Sequence, residues 1–141
     1  MNKLMSLVGV LFCMSCTPKI EKINFGKDNC SFCSMTIMDA KFGAELITKK
    51  GKVFKFDSGE CLINFLQENR EQNVEQIYVI NYQSPGVLID VQHAFFVQGG
   101  EIQSPMGGRL AAFYLQEGAQ AYMKEKHASI FNWNTIKQMK F

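Results

Sequence analysis

The sequence predicts an α+β domain of two ββα units with helices packed on antiparallel sheet. Three observations carry this expectation. Each half of the chain has two short strand-like runs around a glycine-bearing turn, each pair is followed by a segment of helical period, and the size and composition suit one domain. At 141 residues, 47% hydrophobic and 20% charged, the chain is long enough to bury one core.

The first unit opens with Ala44 to Thr48 as a strand. The polar turn Lys49-Lys50-Gly51-Lys52 leads into Val53 to Phe56, where apolar and polar residues alternate. Asp57 is placed to cap a helix, with Glu60 three residues on in a capping-box pattern. Cys61, Leu62, Phe65 and Leu66 then recur on one helical face. Ile77 to Tyr82 and Val87 to Val91 read as a further strand pair around Ser84-Pro85-Gly86. The second unit repeats the order: a strand over Ala94 to Gln98, a loop over Gly99 to Gly108, a strand over Arg109 to Leu115, and a helix over Gln116 to Lys126 with Ala119, Tyr122 and Met123 on one side. Phe131 to Met139 reads as a short closing helix.

Ahead of the domain, Lys3 and the apolar run Leu4 to Phe12 suit a cleavable signal and are too short for a spanning helix. Ser15-Cys16 resembles the lipobox of bacterial lipoproteins, with Cys13 standing where leucine is usual. The expected organisation is a signal peptide over 1–15, a lipidated N-terminus at Cys16 with a charged tether over 16–29, and the folded domain over 30–141. A lipid on Cys16 would place the domain on the bacterial envelope facing the periplasm. Thr17 supplies no aspartate-type retention signal, which favours the outer membrane.

Fifteen Lys and Arg against thirteen Asp and Glu leave a formal charge of +2, without the basic clustering a nucleic-acid surface needs. Catalysis finds little footing: Gly-x-Ser-x-Gly, His-Glu-x-x-His and a phosphate loop are all absent, and two histidines offer few acid–base groups. A binding or transfer protein is the better class, and the ligand is signalled by sulfur. Cys30-Ser31-Phe32-Cys33-Ser34-Met35 packs three sulfur side chains into six residues, and Met106 lies in the turn-forming Ser104-Pro105-Met106-Gly107-Gly108. Thiolate and thioether are soft donors that select Cu(I), whereas zinc wants four ligands and the chain offers C-x2-C with one distant Cys61.

Plainer readings stand beside this one. Cys30 and Cys33 suit a disulfide or a redox pair, although no βαβ pattern surrounds them. Cys61 lies on an apolar helix face, where a small buried hydrophobe is the simpler account. Met38, Met123 and Met139 read as packing residues and His127 as a solvated one. His93, before a strand, is a possible nitrogen donor. Asp57 and Asp90 are explained as cap and strand-end residues. A zinc domain on Cys30, Cys33 and Cys61, structural or for storage, is the alternative metal reading.

Four blocks then occur in order: Cys30-x-x-Cys33-x-Met35, Val53 to Asp57 with Ser58-Gly59-Glu60-Cys61, Asp90 to Val97, and Ser104-Pro105-Met106-Gly107 running into Leu110-Ala111-Ala112-Phe113. In this the chain resembles the NosL family of nitrous oxide reductase accessory lipoproteins. The resemblance implies two ββα units, Cu(I) binding, and delivery of copper to nitrous oxide reductase or its assembly machinery. Cys33 and Met35 match the family's Cys-Gly-Met, with Ser34 in place of glycine, and Met106 matches its Pro-Met-Gly. The implied copper ligands are Cys33, Met35 and Met106, with Cys30, Cys61 and His93 as further candidates.

Overall fold

The computed structural model describes residues 19–68, 70 and 72–141. Cys16 and the expected signal segment lie outside them. Strands β1 (Ala44–Thr48) and β2 (Val53–Phe56) form the first hairpin, followed by helix α1 (Gly59–Gln67), β3 (Val74–Ile80) and β4 (Leu88–Asp90). After a 3-10 turn at Val91–His93 come β5 (Phe95–Gly99), β6 (Leu110–Phe113), α2 (Gln116–Lys126), β7 (Ala128–Phe131) and the short α3 (Trp133–Ile136).

The first sheet has the order β2-β1-β3-β4 and the second β6-β5-β7, with every pairing antiparallel. The two hairpin-plus-helix units are therefore present, and each is completed by a returning strand. From β2 the chain passes through α1 and comes back as β3 on the far side of β1. From β6 it passes through α2 and comes back as β7 beside β5. β1 is central in its sheet and all five of its residues are buried, the core taking Ala44 and Leu46 on one face while the segment at Glu21 lies over Glu45.

Several boundaries differ from the sequence reading. β7 falls where the tail was expected to be turning helical, so Phe131 is a strand residue and only Trp133–Ile136 closes as helix. The break between α2 and β7 is made by His127 in the left-handed region (φ 52°), a C-cap position that glycine usually takes. The cap of α1 is Ser58 rather than Asp57: Ser58 Oγ accepts from the Cys61 N–H at 3.3 Å. The expected tether also ends earlier than Asn29, because Ile23 is buried in the main core and the Glu21 N–H donates to Glu45 Oε1 at 2.9 Å.

One core joins the two halves. Phe56, Leu62 and Ile63 from the first half meet Phe96, Trp133 and Ile136 from the second, and a smaller cluster gathers Phe42, Val97, Ile102, Phe113 and Ala119. The backbones meet as well, through a parallel bridge between Asn81 and Ala112 and the Tyr82 N–H donating to Ala112 O at 2.7 Å. No described helix is long and apolar enough to cross a membrane.

Candidate metal centre

The segment carrying Cys30 and Cys33 is a tight loop closed by an antiparallel bridge between Asn29 and Thr36. Within it the Cys30 N–H donates to Met35 O at 2.8 Å and the Ser34 N–H to Cys30 O at 3.0 Å. The loop is fastened to β2 on both sides of one residue: the Ser31 N–H donates to Lys55 O at 2.8 Å, and the Lys55 N–H to Ser31 Oγ at 3.3 Å. Ser34 has φ 65°, in the left-handed region that favours glycine. The turn that a Cys-Gly-Met sequence would make freely is thus made here by serine, at a cost of about 1–2 kcal/mol. Ser34→Gly is expected to leave stability unchanged or raised, and Ser34→Val to lower it by about 1–2 kcal/mol or more. Urea unfolding of the two variants checks this.

The second wall of the site is the first turn of α1. With Ser58 as cap, Cys61 points its buried side chain toward the loop, and the thiol sulfurs of Cys30, Cys33 and Cys61 all lie within 4.8 Å of one another. Among the described residues this is the one such gathering of His, Cys, Asp or Glu ligand atoms, and all three thiols are free. Cys30 and Cys61 are buried, whereas Cys33 is half-buried and forms the open side.

The three thiols differ in acidity. A hydrogen bond from the Cys61 thiol, assisted by backbone N–H groups of Asp57, Cys33 and Phe32, holds Cys30 well below the usual thiol range despite its burial. Cys61, donating that bond to Cys30 and buried beside it, is pushed up. Burial raises Cys33. Burial also raises Asp57, and the neighbouring Cys30 charge adds to it. One thiolate with two thiols around it is a soft, electron-rich cup that a cuprous ion can enter by displacing protons. Three sulfurs alone leave a tetrahedral zinc shell one ligand short.

The methionines stand at the periphery. Met35 follows the half-buried cysteine and is 58% exposed, and Met106 sits at a loop tip with 39% exposure. Met38, expected to pack, is 68% exposed instead, because Ile37 takes the inward position beside it. Met123 and Met139 are part-buried. His93 lies exposed at the end of the 3-10 turn, beside grooves lined by Asp90, Tyr114 and Asn132, and belongs to no group of ligand atoms with the thiols.

Sequence reasoning favoured Cys33 with the two methionines. The fold instead gathers Cys33 with Cys30 and Cys61, and Cys61 combines burial in the apolar core with a place in the cluster. The feature that kept it a candidate is its place on the helix that follows the hairpin after Cys30-x-x-Cys33-x-Met35. Glu60, fully buried beside it, was read only as a capping-box residue.

Comparison with known proteins gives two findings. The family model NosL matches residues 23–141. A solved structure, the copper chaperone NosL from Shewanella denitrificans, superposes with a TM-score of 0.74 at 25% identity, covering 86% of this chain and 98% of that one. None of the curated proteins matches the sequence significantly. The structural neighbour is described as a chaperone, in keeping with a binding protein rather than an enzyme.

Proposed function

The chain belongs to the NosL family, and from that premise we propose that it is an envelope lipoprotein that carries Cu(I) for the maturation of nitrous oxide reductase. The observation that supports this reading most is the cluster of three free thiols, two buried and one half-buried. Copper is cargo in this scheme. Cys30, Cys33 and Cys61 hold it as thiolates, and the exposed thioethers of Met35 and Met106 engage it on the open side during loading and release.

The asymmetry of burial gives the transfer its direction. An incoming sulfur or imidazole from a partner would approach from the side of the half-buried Cys33, so ligands are replaced one at a time without the ion entering water. A cuprous ion tolerates two or three soft ligands, and each intermediate keeps at least two. Acylation at Cys16 would hold the domain at the periplasmic face of a membrane, the outer membrane being favoured by Thr17. The tether ahead of Ile23 would leave the domain mobile.

Anaerobic titration of the reduced protein with Cu(I) and with Zn(II) tests the reading. Tight one-to-one Cu(I) binding is expected, weakened by Met106→Ala, with transfer of the ion to metal-free nitrous oxide reductase. Tighter Zn(II) binding that ignores Met106→Ala would replace the chaperone reading with a structural or storage zinc domain.

A further inference from the structure

The Met106 loop lacks the usual means of holding its place. Met106 is substantially exposed and Pro105 and Gly107 beside it are exposed as well, so the tip is not anchored by burial. Its two ends, however, converge on one side chain. Glu60 Oε1 accepts a short hydrogen bond from the Ser104 hydroxyl and a longer one from the Leu110 N–H at 3.4 Å. Ser104 Oγ in turn accepts from the Arg109 N–H at 2.9 Å, and Ser104 O from the Gly107 N–H at 2.9 Å. The loop backbone presses onto the same carboxylate: a Cβ on Gly108 would lie 2.8 Å from Glu60 Cγ and 2.9 Å from Oε1.

Glu60 is an expensive way to fasten a loop. It is fully buried, its Oε2 has no hydrogen-bond partner, and no Lys or Arg among the described residues pairs with it. An apolar residue of similar size would pack without that desolvation cost. What the carboxylate adds is placement. It precedes Cys61 on the first turn of α1 and reaches from the first half of the chain into the second.

We propose that Glu60 is a positioning residue that holds the Met106 loop in register with the thiol-bearing turn of α1, so that the Met106 thioether meets a cuprous ion on the thiols. The inference rests on the reading of Met106 as a copper-engaging thioether. Glu60 itself does not touch the ion. It fixes one fold segment against another, and its geometry would be reproduced by glutamine, whose carbonyl accepts the same two hydrogen bonds.

Methyl-labelled methionine NMR of the full chain, with and without Cu(I) under anaerobic conditions, reads this directly. In the wild type the Met106 methyl resonance is expected to shift on loading. In Glu60→Ala and in Ser104→Ala that shift is expected to be lost while the Met35 shift and thiol binding persist, with Cu(I) affinity reduced about tenfold to a hundredfold. Glu60→Gln is expected to restore the Met106 shift. Ser104→Ala removes only a hydroxyl and keeps the test open if Glu60→Ala does not fold. A Met106 resonance that shifts equally in the wild type and in both alanine variants overturns the role of Glu60 alone. No shift at Met106 in the wild type overturns the thioether reading, and the inference with it.

Discussion

Replacing Cys61 with alanine is expected to lower Cu(I) affinity by roughly a hundredfold or more. Loss of an outer partner alone costs about tenfold to a hundredfold in metal sites, and Cys61 supplies a sulfur of the cluster itself. It also supplies the hydrogen bond that keeps Cys30 acidic, so its removal raises the Cys30 thiol toward its ordinary range. The pH dependence has a definite sign. Cys33 and Cys61 are raised and therefore protonated at neutral pH, and a metal binds them only as thiolates. Loading must release their protons, and affinity rises with pH until those thiols titrate. Chelator competition at several pH values, together with proton release followed in weak buffer, checks both parts. In the alanine variant Cys30 is no longer held acidic and releases a proton in place of Cys61, so the proton count and pH slope should stay close to those of the wild type while affinity falls at every pH. Wild-type affinity in the variant would return Cys61 to the role of a packing residue.

The largest stability effect is expected at Phe56. Its side chain is fully buried, packs edge-on against Phe65 with ring centroids 5.1 Å apart, and pairs with Ala44 in the hairpin register. It is also the last residue of β2, immediately before the Asp57-Ser58 turn that starts α1. Phe56→Ala should cost about 3–5 kcal/mol from lost burial and the cavity left behind. Because the helix start is set from this position, Cu(I) affinity should fall in parallel even where most molecules remain folded. Urea unfolding gives the first quantity and chelator competition the second. A loss below about 1 kcal/mol would show that the strand–helix junction is held by other contacts.

The hairpins and helices were legible in the sequence because their signals are local. Alternation in Val53 to Phe56, the glycine-bearing Lys-rich turn before it, and the apolar face of Cys61, Leu62 and Phe65 each lie within one element. The returning strands were less so. Val74 to Ile80 was recognised only from Ile77, and nothing local says that it lands beside β1. Ala128–Phe131 is only four residues long and follows a helix whose end is marked by His127 rather than glycine, so Ala128 to Ile130 carry no strand signal of their own and Phe131 reads as the start of the closing helix.

The site divides the same way. The spacing of Cys30, Cys33 and Met35 announces a sulfur loop. The approach of Cys61 depends on how α1 sits against that loop, which spacing does not encode. Apolar character misled at Met38, since a methionine carries no mark of which way its backbone turns it. Ser34 shows the reverse: the glycine expected there by the resemblance is explained once its φ is seen to be positive.

Lys55 gives the fold a mechanical property. Its backbone grips Ser31 through both N–H and carbonyl, while its ammonium group contacts Asp28 at 2.9 Å, Lys22 O at 3.1 Å and Glu21 at 3.4 Å. Ile23 is wedged into the core between those contacts, and the Glu21 N–H is held by Glu45. Tension on the chain entering at residue 19 therefore loads the Glu21–Asp28 strap and strand β2 before it reaches Cys30. The strap acts as a strain relief, and the sulfur cup would keep its shape under a pull applied at residue 19.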